Sequence, residues 1–174
     1  MKPRTIFKWS GNKSLEEEKM KINGKIVLAR RIRTNDAVVV LPILENERVI
    51  LERQFRKGVK KWVYEIPAGR LENGEKPKDA ARRELQEEIG YSPRKLELLF
   101  KSYINPGLET ELDYFFLGTD LIKSKKPADV DEQIQVKILK LSQVEKMIER
   151  NEILDHTALV GLLYYLKRLS DQRK

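Results

Sequence analysis

Residues Ala37 to Leu44 read Ala-Val-Val-Val-Leu-Pro-Ile-Leu, an apolar run with no polar or charged break. A strand with one wet face alternates apolar and polar side chains, so a continuous run marks a strand covered on both faces. Arg48–Arg53 makes a second strand after the Glu45-Asn46-Glu47 turn, and further strands are expected at Lys95–Tyr103, Leu112–Gly118 and Ile134–Lys140. Between them, Pro77 to Gly90 predicts a helix. Proline suits its first position, glycine suits its stop, and Asp79 favours its start electrostatically, although Lys76 is a poor cap. Helices are also expected from Ser142 to Arg150 and from Asp155 to about Ser170, the last with Leu159, Leu162, Leu163 and Leu166 on its apolar face. The pattern implies an α/β (α+β) fold with helices packed on a sheet, and by itself goes no further.

Ahead of this block, residues 1–34 read as a small antiparallel sheet. Thr5–Trp9 and Lys25–Arg30 are its strands, Asn23-Gly24 is a hairpin turn signal, and a charged stretch around Glu16–Lys21 separates them. The chain thus divides into a strand-rich segment, 1–34, and a main domain, 35–174.

With 174 residues the chain is large enough to bury one real core. It holds no apolar run of membrane-spanning length, and its N-terminus lacks the apolar centre of a signal peptide. The absence of cysteine rules out disulfides, thiolate zinc sites and cysteine nucleophiles, and makes a cytoplasmic setting the default expectation. Lys and Arg number 35 against 27 Asp and Glu, a net charge of +8, which favours anionic ligands. The positive residues are dispersed. Only Arg56-Lys57 with Lys60-Lys61 and the tail Arg173-Lys174 form patches, and aromatics are not interleaved with them for base stacking. Nucleic acid is therefore not the expected partner.

The densest chemistry lies in Gly69-Arg70-Leu71-Glu72-Asn73-Gly74-Glu75 and Arg83-Glu84-Leu85-Gln86-Glu87-Glu88-Ile89-Gly90-Tyr91, a glycine loop feeding a helix. At about 100° per residue, Glu84, Glu87 and Glu88 fall within about 100° of arc. Like charges four apart cost a bare helix about 0.2–0.5 kcal/mol, a penalty relieved when Mg²⁺ or Mn²⁺ sits among hard oxygen ligands. A solvated acidic face has the same spacing. Against it, no lysine stands four residues after any of the three glutamates, and Ala81, Leu85 and Ile89 make an adjoining apolar stripe.

Gly69, Glu75, Arg83-Glu84-Leu85, Glu87-Glu88 and Gly90-Tyr91 are similar, position by position, to the signature of the Nudix hydrolases, with Tyr91 standing where an aliphatic residue is usual. The resemblance implies the Nudix fold, an α/β/α sandwich around a mixed sheet, and metal-dependent hydrolysis of a nucleoside diphosphate linked to another group. Three further segments resemble the ADP-ribose pyrophosphatase branch: Arg53-Gln54-Phe55-Arg56 followed by Trp62 to Gly69, Asn105-Pro106-Gly107 sixteen residues beyond Gly90, and Asp131-Glu132-Gln133-Ile134. The likeness extends over residues 35–170.

That resemblance implies cleavage of ADP-ribose to AMP and ribose 5-phosphate with Mg²⁺, or alternatively Mn²⁺ or Zn²⁺. It implies metal ligation by Glu84, Glu87, Glu88 and the Ala68 carbonyl, which Gly69 would free to come close. Arg83 would brace the carboxylates, and Glu132 in a mobile loop or Glu88 would serve as base. Arg56 would grip a substrate phosphate, with Arg33, Pro106 and Gly107 as further substrate contacts. Trp9 would either stack on adenine or pack in the core or dimer, and Glu65 would either face the site or end a strand. His156 reads as structural. The branch also implies a homodimer sharing its active sites, with residues 1–34 exchanged or packed between subunits. The alternatives are a Nudix pyrophosphatase for other nucleotide sugars, dinucleotides or RNA 5′ ends, and a module that senses ADP-ribose without cleaving it.

Overall fold

The computed structural model describes residues 3–9, 12–127 and 132–172. At its centre lies β4 (Ala37–Leu44), flanked by β5 (Arg48–Arg56) antiparallel on one side and β9 (Leu112–Lys123) parallel on the other. β8 (Tyr91–Tyr103) and β10 (Ile134–Lys140) extend the sheet to the order β10-β5-β4-β9-β8. The apolar run needs two covers and has them. Val38 and Val40 pack with Ala80, Ala81, Leu85 and Ile89 of the box helix, α1 (Pro77–Glu84) and its continuation. Val39 and Leu41 pack on the opposite face with residues of α2 (Leu141–Glu149) and α3 (His156–Gln172). The expected α/β/α sandwich with a mixed sheet is thereby observed.

One irregularity makes room for a site. β4 and β5 pair only at Ile43–Val49 and Leu44–Arg48. Below that point β5 pairs with β6 (Lys61–Glu65) and β4 with β7 (Ala68–Arg70), so a single stretch of chain crosses between the parting strands at Ile66-Pro67. Sequence reading placed no strand in this stretch. Its two strands are short, and their pairing partners lie on different neighbours.

The N-terminal sheet comprises β1 (Arg4–Lys8), β2 (Ser14–Ile22) and β3 (Lys25–Arg33). Here the expectation of a charged separator at Glu16–Lys21 is corrected, because that stretch is β2 itself. Its glutamates meet arginines of the neighbouring strands: Glu16 pairs with Arg31 and Arg33, and Glu17 with Arg4 and Arg30. Opposite charges across a ladder substitute for apolar alternation. Asn23 and Gly24 both take positive φ, as a two-residue hairpin turn requires. The sheet joins the main body where Ile32 N–H donates to Leu108 O (2.8 Å) and Thr110 N–H donates to Ile32 O (3.1 Å). Along α3 the buried stripe is Ala158, Gly161 and Leu162, while Leu163 is 46% exposed. Leu163 lies about 100° around the helix from Leu162, which turns it off the stripe.

Candidate active site

The box helix does not remain α-helical. After Glu84 it widens into a π-helical turn, Leu85–Ile89, and stops at Gly90 with φ 77°. Each residue of such a turn advances through less arc than in an α-helix. Glu88 is buried with Leu85 and Ile89, whereas Glu87 keeps partial exposure. Residues 124–126 cap the turn: Lys125 Nζ donates to Glu87 O (2.7 Å), Gln86 Nε2 to Ser124 Oγ (2.6 Å), and Lys126 N–H to Gln86 O (3.1 Å).

Arg83 ties the loop to the helix. Its Nε and Nη2 donate to the two oxygens of Glu75 (2.9 and 3.0 Å), and Nη1 donates to Glu84 (2.7 Å) and Glu87 (3.0 Å). Nη2 also reaches Arg70 O (3.1 Å). A lysine could not make this planar fork. Glu75 in turn accepts from Glu72 N–H, and the guanidinium holds its carboxyl below the usual range. Gly69 is required by contact, since a Cβ there would stand 1.9 Å from Glu84 Oε1.

Burial shifts the carboxyls of Glu84, Glu88 and Glu52 upward. Glu84 is pushed to about 7 by desolvation, against the pull of Arg83 and with a further push from Glu87 and Glu132. Glu88 accepts from Ala68 N–H (3.0 Å) and is raised well above the carboxylate range by burial, then by Glu52 and Glu84. Glu52, on β5 and 1% exposed, hydrogen-bonds Glu88 and is pushed up to about 8, chiefly by desolvation. A hydrogen bond between two carboxyls needs a proton on one of them, which is the direction in which burial pushes both. Across the β5–β6 ladder Glu52 faces Glu65, which grips Arg56 through a bidentate pair.

Two cavities meet here. One, about 540 Å³, is lined by Ala68, Gly69, Arg83, Glu84 and Glu87 and, at its other end, by Glu111 and Asp113. The other, about 990 Å³, is lined by Phe55, Val59, Trp62, Glu65 and Leu154. Arg56, Glu132 and Asp155 border both. The structure therefore brings together Ala68, Arg83, Glu84, Glu87, Glu88, Arg56 and Glu132, and His156 lines the smaller cavity. It does not bring Arg33, Pro106 or Gly107 to that wall within one protomer. Arg33 pairs with Glu16 beside Asn35 and Asn73, and Gly107 borders a small hollow next to Glu17 and Arg30. Trp9 packs edge-to-face on Phe7 in the N-terminal sheet. Asp131 and the tail Arg173-Lys174 lie outside the described residues. Sequence reading missed Glu52, Glu111 and Asp113. The signal for Glu52 was available in the alternation Ile50, Glu52, Gln54, Arg56 along one face of β5.

The donor set fits a hard divalent cation. All the side-chain donors are carboxyl oxygens, and in Glu84 and Glu88 burial disfavours the charged form, a cost that positive charge would relieve. That chemistry suits Mg²⁺ or Mn²⁺ better than Zn²⁺, which prefers nitrogen and sulfur. Among the described residues no three acidic or imidazole side chains already converge as a finished ligand set. Arg83 engages Glu84 and Glu87, while Ala68 and Glu52 engage Glu88, so loading requires some of these bonds to be exchanged.

A NUDIX domain model matches residues 33–157, which contain the box, the crossing segment and Glu132. The chain is 35% identical to an ADP-ribose pyrophosphatase of Bacillus subtilis (strain 168), over 82% of this chain and 78% of that protein. It is 36% identical to a GDP-mannose pyrophosphatase of Enterobacter sp. (strain 638), over 83% of this chain and 81% of that one. A crystal structure described as an ADP compounds hydrolase superposes with a TM-score of 0.84 at 23% identity, covering 99% of this chain and 96% of the other; it supports the fold. The chain belongs to the NUDIX family.

Proposed function

We propose that this protein hydrolyses the pyrophosphate of ADP-ribose, giving AMP and ribose 5-phosphate. The observation that carries the reading is the junction of the two cavities. The carboxylates of the box helix face one chamber, an aromatic chamber adjoins it, and Arg56 stands between them. Affinity to the Bacillus ADP-ribose pyrophosphatase supports the choice of nucleotide. In the reaction water attacks one phosphorus, the bridging P–O–P bond breaks, and the leaving phosphate takes the electron pair.

Glu84, Glu87, Glu88 and the Ala68 carbonyl would hold Mg²⁺, with Mn²⁺ as the next choice. A divalent cation there would neutralise the pyrophosphate oxygens and acidify water. Arg83 keeps Glu84 and Glu87 in place through its fork. Arg56, held by Glu65, presents its remaining guanidinium edge to a phosphate. Glu132, bordering both cavities, takes the proton from water, with Glu88 as the rival base. Trp62 and Phe55 offer the base an apolar chamber with a π face, so the nucleoside occupies the larger cavity.

The protein acts as a homodimer in the cytoplasm. Residues 1–34 form its dimerisation element, and 35–174 the hydrolase domain. Ile6, Phe7, Ile26 and Leu28 expose apolar surface on a sheet that no helix of the same protomer covers among the described residues. A partner packed there would carry Arg33, Pro106 and Gly107 toward the neighbouring site. Likeness to the GDP-mannose enzymes supports a second reading, hydrolysis of a broader set of nucleotide sugars. A panel of ADP-ribose, ADP-glucose, GDP-mannose, diadenosine diphosphate and triphosphorylated RNA, with products identified by mass, separates the readings. ADP-ribose is expected to give the highest kcat/KM, and a higher value for any other member overturns the choice of nucleotide.

A further inference from the structure

On one wall of the smaller cavity stand Asp113 of β9 and Glu111 just before that strand, with Arg70 of β7 paired to Glu111. Asp113 and Arg70 both stand opposite Ala37 of β4, a residue too small to fill the space between them. The neighbouring carboxylates have partners. Glu111 accepts two bonds from Arg70 (3.2 Å each), and Asp36 Oδ1 accepts from Leu112 N–H (3.3 Å). Asp113 differs: it is 2% exposed, it lines the cavity, and its Oδ1 has no hydrogen-bond partner among the described residues. An acceptor left unpartnered in a buried wall is costly unless a ligand supplies the donor.

The chemistry of that donor is narrow. Glu111, Asp36 and Asp155 set like charge around Asp113 against the guanidinium of Arg70, which makes this wall a poor seat for a phosphate. A purine belongs with Trp62 and Phe55 on the other side of Arg56. A neutral group rich in O–H donors satisfies the unpartnered acceptor, and the substrate carries one beyond the pyrophosphate. We propose that Asp113 is a specificity-determining residue that accepts hydrogen bonds from hydroxyls of the sugar on the far side of the pyrophosphate. This rests on the hydrolase reading given above, and adds which wall of the cavity recognises the sugar.

Two sugars carry such hydroxyls, and binding measurements distinguish them. Ribose 5-phosphate and, separately, AMP are titrated into the wild type, Asp113→Ala and Asp113→Asn, with complex formation followed by NMR. The alanine variant is expected to bind ribose 5-phosphate at least about fivefold more weakly, the asparagine variant to recover part of the loss through its own acceptor, and AMP to bind all three alike. Turnover supplies a second arm. For the alanine variant, kcat/KM falls for ADP-ribose but holds for a propyl ester of ADP, which lacks the distal sugar. Unchanged affinity for ribose 5-phosphate overturns the proposal, and so does an equal loss for AMP, which is the mark of a structural effect. Failure of the hydrolase reading looks different: the wild type then releases AMP from neither substrate, while the binding arm still reports on Asp113.

Discussion

Gly69 and Glu84 touch so closely that each sets what the other can be. Any side chain at 69 meets the carboxylate end of Glu84, which is flexible and can swing away. Gly69→Ala is therefore expected to fold, with a melting temperature within a few degrees of wild type, but to lose at least roughly tenfold in kcat because Glu84 leaves its place. Normal turnover in the alanine variant would show that this placement does not matter. Arg83→Lys should likewise keep the fold and lose activity, since one ammonium cannot serve Glu75, Glu84 and Glu87 together. Asp113 permits a prediction with a definite sign. Burial, then Glu111 and Asp36, push its carboxyl from 3.8 to about 7. The folded protein thus keeps a proton that the unfolded chain loses. The associated stability is complete below about pH 4 and is lost as pH rises through 7. Asp113→Asn should melt with wild type at pH 4 and roughly 2–6 °C higher at pH 8, measured by thermal denaturation in the absence of ligand.

Among the elements, those set by a strong local pattern were readable from sequence. β4 announced itself by its apolar run, and the box helix by Pro77 and Gly90. β2 did not, because Glu16–Lys21 has no apolar alternation; its stability comes from arginines on the adjacent strands, which pairing alone reveals. The π-helical turn also escaped notice. It depends on Lys125 and Ser124 meeting the helix end from far along the chain. The carboxyls it presents were visible as residues, but Glu52 was not, since only the sheet shows that β5 turns this acid toward Glu88. These raised carboxyls make a further prediction. Mg²⁺ must displace protons from Glu84 and Glu88, so its apparent affinity should increase as pH rises through about 7, and saturating Mg²⁺ should raise the melting temperature at pH 8. An identical melting curve with and without Mg²⁺ at pH 8 would count against metal loading at this helix.

For the molecule as a whole, the sandwich supplies the rigid part, and the parting of β4 from β5 supplies the opening in which box, aromatic chamber and sugar wall meet. Among its described residues the N-terminal sheet has no comparable core of its own; Ile26 is 75% exposed and Leu28 51%. Light scattering on the full chain should give about twice the 20.4 kDa chain mass, and Leu28→Asp should reduce it toward the monomer value. The central claim, that carboxylates of the box helix drive cleavage of ADP-ribose, has a direct test: AMP release from ADP-ribose with Mg²⁺ by wild type and by the Glu84→Gln, Glu88→Gln double variant. Rapid AMP formation by wild type, falling by at least about 10³-fold in a folded double variant, is the expected result, a loss of about 4 kcal/mol in transition-state stabilisation. Undiminished AMP formation by the variant, or binding of ADP-ribose by wild type without turnover, would contradict it.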